Sequence, residues 1–382
     1  MKRVLPKVAF SLACVVPALV LSAGQGSAFA ARGGDARSGD TTTGGAPSAV
    51  YTLTNAASGN AVVRYTRAGD GTLTSAGTFP TGGDGSGSGL GSQGALAESA
   101  DGHWLFAVNA GSNTVSTFRV EQHGLTLTDQ ESSRGAEPIS LTAYGRLLYV
   151  LNGGGAGNIT GFDIRTDGTL IPIRRSTRLL SGNAVGPAQV QFSPRGDLLV
   201  VTEKATNLID TWVVGNDGRP HEHAAHQSAG QTPFGFAFDP SSHLIVSEAH
   251  GGAPGASTLS SYEVSPSGGL TPISPAVPDT QTAACWVVVT ANGRYTYTTN
   301  TGSGTVSSYR IRNDGGLSLL SATAGATGSG PIDEGLSTGS GYLYVLNGDG
   351  TISAFKVRPN GGLTPITGAS GLPSSAAGLV AR

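Results

Sequence analysis

An apolar run that closes on Asn or Glu returns seven times along this chain of 382 residues. The closing residues are Asn55, Asn109, Asn152, Glu203, Glu248, Asn300 and Asn347, at intervals of 43 to 54 residues. After each comes a turn rich in Gly, Ser and Asn, then a second run carrying one aromatic: Tyr65, Phe118, Phe162, Trp212, Tyr262, Tyr309 or Phe355. A period of about 40–50 residues made of strand-length runs is the signature of a propeller blade, which buries its faces only against neighbouring blades. The expected fold is therefore all-β, a seven-bladed β-propeller of four-stranded blades over residues 49–382. In the fourth blade the strands read as 188–193, 197–202, 208–214 and 221–228, from the channel outward.

The composition agrees. With 59 glycines, long helices are disfavoured, since each interior glycine costs a helix roughly 1 kcal/mol. Asp70-Gly71, Asp167-Gly168, Asp217-Gly218 and Asp314-Gly315 supply the positive φ angles that tight hairpins need. No Asp-x-Asp-x-Asp series follows these pairs, so they read as turns and not as calcium loops. The first copy begins at Val50-Tyr51 without an innermost strand, while the last is followed by Gly371-Leu372-Pro373 and then Gly378-Leu379-Val380-Ala381. The tail is expected to enter blade one beside residues 50–54 and close the ring, which removes a free sheet edge.

The N-terminus has the form of a secretory signal. Lys2, Arg3 and Lys7 precede an apolar run over residues 8–23, and Ala28-Phe29-Ala30 offers a small-x-small cleavage pattern. Residues 1–30 are expected to be removed, residues 31–48 to form a disordered linker, and the product to be exported. Of 23 basic and 25 acidic residues the signal takes three basic ones, leaving 20 − 25 = −5. A mildly acidic chain without a basic run is a poor partner for nucleic acid. No later stretch reaches the 18 or so apolar residues a membrane span needs. Cys14 leaves with the signal, so an intramolecular disulfide is impossible. Cys285, in an apolar strand-like run, reads as a buried thiol. The expectation is a monomer without cofactor or metal.

Alternating strand direction puts the seven closing residues on one face, at the channel mouth, and the Asp-Gly turns on the other. Glu203 and Glu248 break the asparagine pattern on adjacent blades, and His250 lies two residues beyond Glu248. These three are the candidate catalytic residues, because carboxylates at a low-dielectric opening can serve as general bases. Asn109, Asn152, Gln189, Asn300, Asn347, Glu137 and Glu334 are the candidate substrate-binding residues, and Glu137, Asp333 and Glu334 are expected in the loops that ring the mouth. The competing reading is that the asparagines and glutamates only cap the turns beneath them. Other patterns carry less. The set His221, Glu222, His223 and His226 sits on an outermost strand, and Arg174, Arg175 and Arg178 read as solvated edge charge. Gly89-x-Gly-x-x-Gly94 lacks a surrounding βαβ unit and reads as a flexible inter-blade loop. Gly335-Leu336-Ser337-Thr338-Gly339 has nucleophile-elbow spacing without a following helix.

Three segments resemble a known family. Residues 186–197, 232–240 and 289–295 (Gly-Pro-Ala-Gln-Val-Gln-Phe-Ser-Pro-Arg-Gly-Asp, Thr-Pro-Phe-Gly-Phe-Ala-Phe-Asp-Pro and Val-Thr-Ala-Asn-Gly-Arg-Tyr) look like blade motifs of the lactonase family. These are the seven-bladed propellers related to 6-phosphogluconolactonase and carboxymuconate cycloisomerase. The resemblance implies a site at the channel mouth where a histidine, an acidic residue and arginines handle a lactone. In this chain the histidine position holds Ala188, the acidic position matches Glu203, and the following Asp and Arg positions fall on Asn207 and Leu208. Two readings stay open: a secreted hydrolase of a lactone, whether of a sugar or another small cyclic ester, with a small-molecule lactone or carbohydrate as its partner, and a non-catalytic propeller that binds a glycan, cell-wall component or protein. A metal-using enzyme with its ion at the mouth is a third.

Overall fold

The computed structural model describes residues 48–382, so the signal sequence and nearly all of the linker lie outside the described residues. Seven antiparallel sheets follow one another around a central channel. Their innermost strands are Leu96–Glu98, Pro138–Tyr144, Pro187–Phe192, Pro233–Phe238, Ala284–Val289, Pro331–Leu336 and Ala377–Ala381. The last of these belongs to blade one. It pairs with Ala49–Leu53, with Tyr51 opposite Val380 and Thr52 opposite Leu379, so the two ends of the chain share a sheet. In blade four the strands are Pro187–Phe192, Leu198–Glu203, Leu208–Val214 and Pro220–Gln227, within one residue of the boundaries read from the sequence.

The blades form because each carries apolar residues on both faces. Trp212, Trp286, Tyr149, Tyr297, Phe118 and Phe236 are among the largest side chains fully buried, and they fill the wedges between neighbouring sheets. The hairpin turns behave as their chemistry requires. Gly71, Gly168, Gly218 and Gly315 all have positive φ, between 72° and 89°, and Asp70 Oδ1 accepts the Thr72 amide at 2.9 Å. Cys285 is buried in its strand. A propeller also leaves the channel-facing edges of its innermost strands unpaired, and buried backbone groups need partners. Side chains supply them. Gln189 accepts from Phe236 N at 2.7 Å and donates back to Phe236 O at 2.9 Å. Ser140 Oγ accepts from Val190 N, and Ser247 Oγ donates to Cys285 O.

Three local expectations change. The outermost strand of blade three is broken into Leu170–Pro172 and Arg178–Leu179, with Arg174 and Arg175 in the turn between, where Arg175 has φ 61°. Asp333 and Glu334 stand on an innermost strand, not in a loop, because Pro331 opens that strand where no ladder N–H is needed. Gly89–Gly94 is not a flexible connection: it crosses the channel mouth and is bonded to blades three, four and six.

Candidate functional site

The asparagines stand at the corner between the second and third strands of their blades, and they are buried. Asn109 Nδ2 donates to Thr114 Oγ1 at 3.0 Å and Ser116 Oγ at 2.8 Å. Asn300 does the same to Thr305 and Ser307, and Asn347 to Thr351 and Ser353. Asn152 Nδ2 reaches Asn158 Oδ1 and Ser133 O. These amides hold the blade corner together and face into their own sheet. The incoming loop lies flat on them through a glycine: a Cβ on Gly83 would sit 2.7 Å from Asn109 Cγ, and one on Gly328 2.7 Å from Asn347 Nδ2.

The two glutamates occupy the same corner with a different set of donors. Glu203 accepts from Ser181 N at 3.0 Å, Ser181 Oγ at 2.5 Å and Thr206 Oγ1 at 2.6 Å. Burial pushes its carboxyl up, but hydrogen bonds from the Asp210 carboxyl, Ser181 and Thr206 outweigh that and leave it below its ordinary value. Asp210 bears the cost. Burial and then the Glu203 carboxylate beside it push Asp210 up to about 8, so at neutral pH the two share one proton. His223 on the outermost strand closes this chain at 3.0 Å from Asp210 Oδ1.

Glu248 accepts from Gly230 N at 2.9 Å, Ser260 Oγ at 2.5 Å and Thr258 Oγ1 at 2.5 Å, with Ser228 Oγ at 3.3 Å. Burial still holds its carboxyl above the usual value. Thr258 Oγ1 also lies 3.0 Å from His250 Nε2. With Glu248 ionised the Thr258 proton goes to it, so the hydroxyl accepts from the imidazole, which puts the ring proton on Nε2 and the lone pair on Nδ1. His250 itself is half-buried in a short 3-10 turn, His250–Gly252. Of the catalytic candidates it is the one at the surface. Glu137 is exposed at the same face, its amide bonded to Asn113 Oδ1 at 2.7 Å.

The centre of the mouth is closed. Gln93 extends across the channel to the blade-six strand, where Oε1 accepts from Val287 N at 3.1 Å and Nε2 donates to Val287 O at 2.8 Å. Trp286 Nε1 donates to Ser92 O at 2.9 Å, and Ser92 Oγ donates to Ile139 O at 2.7 Å. Gln93 N donates to Ala188 O at 3.0 Å, and Lys204 Nζ to Gly91 O at 2.5 Å. Ala188, the position matched to the family histidine, is thus buried beneath this bridge in an apolar cluster with Phe234, Cys285 and Trp286. Asn207, matched to a family acid, accepts the Thr232 amide at 2.7 Å, and Leu208 opens the third strand. No motif or repeat position marks Gln93 in the sequence. Its signal was the interval from Asn55 to Asn109, at 54 residues the longest of the six.

Along the channel from Gln93, a cavity of about 200 Å³ is lined by Gln93, Thr142, Gln189, Gln191, Asp333 and Glu334 among others. Glu334 and Asp333 are buried in its wall, and burial raises both carboxyls well above their ordinary range. Among the described residues no group of three or more His, Cys, Asp or Glu side chains is placed to hold a metal ion, and no helix is long and apolar enough to cross a membrane.

Comparison with known proteins agrees with this architecture. Among solved structures, a candidate 6-phosphogluconolactonase from Bacteroides fragilis superimposes with a TM-score of 0.67 at 21% identity, over 87% of this chain and 97% of the other. A periplasmic gluconolactonase from Pseudomonas aeruginosa gives 0.67 at 18% identity over 86% and 98%. A protein from Lactobacillus plantarum gives 0.72 at 16% identity over 87% and 98%. At these identities the likeness is one of fold. No curated protein matches the chain. The family model described as "Lactonase, 7-bladed beta-propeller" matches residues 46–185 and 246–338, more than half of the sequence, and the chain belongs to that family.

Proposed function

We propose that this protein is an exported lactone hydrolase whose general base is His250, at the rim of the mouth and not at its sealed centre. The observation that carries this reading is the chain His250 Nε2, Thr258 Oγ1, Glu248 Oε2, with steps of 3.0 and 2.5 Å. With Glu248 ionised it sets the ring tautomer and leaves the lone pair on Nδ1, and the buried carboxylate supports the positive charge that forms when Nδ1 takes a proton from water. The water then attacks the lactone carbonyl, and the ring-opened alkoxide recovers the proton from the imidazolium. Family membership supports a small cyclic ester of the sugar-lactone type as substrate. Export rests on the N-terminal sequence pattern alone.

A non-catalytic binding propeller is the second reading. It is favoured by Ala188, which stands at the family histidine position and is covered by the Gln93 bridge. Titration of the acid released from a panel of sugar and aliphatic lactones separates the two. The variant for the comparison is His250→Asn, since His250 has φ 47° and asparagine accepts that conformation. Turnover by the wild type that falls about 10²–10⁴-fold in the variant is expected for loss of a general base. Equal turnover by both would overturn His250 as the base. No turnover by folded wild type would leave the binding reading.

A further inference from the structure

Most buried polar groups in this propeller have partners, and the channel carboxyls stand out against that background. Both Glu334 oxygens and Asp333 Oδ2 are buried without a hydrogen-bond partner. Asp333 Oδ1 accepts the Glu334 amide at 2.8 Å, but Glu334 has no such relief: burial and the Asp333 charge both act against its ionised form. Leaving a buried carboxylate without a partner is costly, and a chain under no other demand would place an apolar or amide side chain here. The two carboxyls face the cavity of about 200 Å³, which has room for an ion with several waters. Residues with further oxygens line the same cavity. Gln191 Oε1 accepts from Gln189, Gln93 Oε1 from Val287 N and Thr142 Oγ1 from Phe192 N. Each keeps a lone pair.

We propose that the central channel is a cation site, in which Asp333 and Glu334 hold one calcium ion with amide oxygens and water completing its shell. An all-oxygen donor set with no sulfur or imidazole points to a hard cation. Two carboxylates balance a charge of +2, which a monovalent ion would leave half uncompensated. A site assembled from Asp333 and Glu334 on blade seven, Gln93 on the bridging loop and Gln191 on blade four suits the irregular, many-membered shell of calcium better than the strict octahedron of magnesium. Such an ion would tie blades on opposite sides of the channel together. The site stands apart from His250, and the inference does not depend on the hydrolase reading.

Thermal melting of chelator-treated protein, with and without added metal, tests this. Calcium at about a hundred times its dissociation constant is expected to raise the melting temperature by roughly 5 °C, with magnesium doing less. Isothermal titration should give one ion per chain. Glu334→Gln should abolish the calcium-dependent rise, and it should melt above the metal-free wild type because a buried carboxyl without a partner is gone. Terbium luminescence displaced by calcium from the wild type provides the same answer if that variant does not fold. No rise with either metal would overturn the proposal and identify a protonated pair. A larger rise with magnesium would overturn the calcium assignment.

Discussion

Single side chains in this propeller act chiefly by completing hydrogen bonds that the strands leave open, and two of them make measurable predictions. Gln93 satisfies both the N–H and the C=O of Val287 across the channel. Removing it in Gln93→Ala orphans both, and the expected loss is about 1–3 kcal/mol of stability in denaturant unfolding. Asp210 sets a pH dependence. Its carboxyl is raised to about 8 from the ordinary 3.8, so between those values the folded state holds more protons than the unfolded one. Its contribution to stability is therefore fully present below pH 4 or so and is lost as pH rises through about 8. Glu248, Asp333 and Glu334 are raised as well and act in the same direction. The difference between wild type and Asp210→Asn isolates the Asp210 share: melting temperature should fall less steeply from pH 5 to 9 in the variant. Identical slopes would show that Asp210 is not protonated beside Glu203.

Among the elements, the innermost strands separate what pattern could show from what it could not. Strand identity was legible because apolar runs bounded by Gly, Pro and Asp-Gly turns have few alternatives. The boundary at Pro331 was not legible, since Gly-rich sequence on both sides of it resembles a loop. Asp333 and Glu334 were accordingly assigned to the wrong kind of element. The closing strand makes the prediction at this scale. Leu379 packs against Gly335 of blade seven, where a Cβ would lie 2.7 Å from its Cδ2, and Arg382 N bonds Ala49 O at 2.9 Å. Deleting residues 372–382 should lower the melting temperature by roughly 10 °C or more and expose the Ala49–Leu53 edge to association. Calorimetry with light scattering reads both effects, and an unchanged melt would mean that closure contributes little.

For the whole molecule, the ring turns seven near-equivalent corners into different things. Five carry asparagine and two carry glutamate; blade five links its buried carboxyl to a surface histidine through Thr258, and blade four links its own to His223 through Asp210. The centre of the same face, where the lactonase family is expected to work, is filled here by Gln93, Trp286 and Phe234. The centre of that face is thereby sealed, and the channel below the bridge becomes a polar chamber with two unpartnered carboxyls.

The repeat of the sequence determined the fold class, the number of blades, the direction of each strand and the closure by the tail, because period-two burial and turn residues act locally. It also marked Glu203, Glu248 and His250 as departures from the pattern. Only the tertiary structure decided what those departures mean. Whether Glu248 reaches His250 depends on Thr258, ten residues further along the chain on a different strand. Whether the mouth is open depends on Gln93 meeting Val287 across 194 positions of sequence. Contacts of that span are set by where the closed ring places its blades, and no local pattern encodes them.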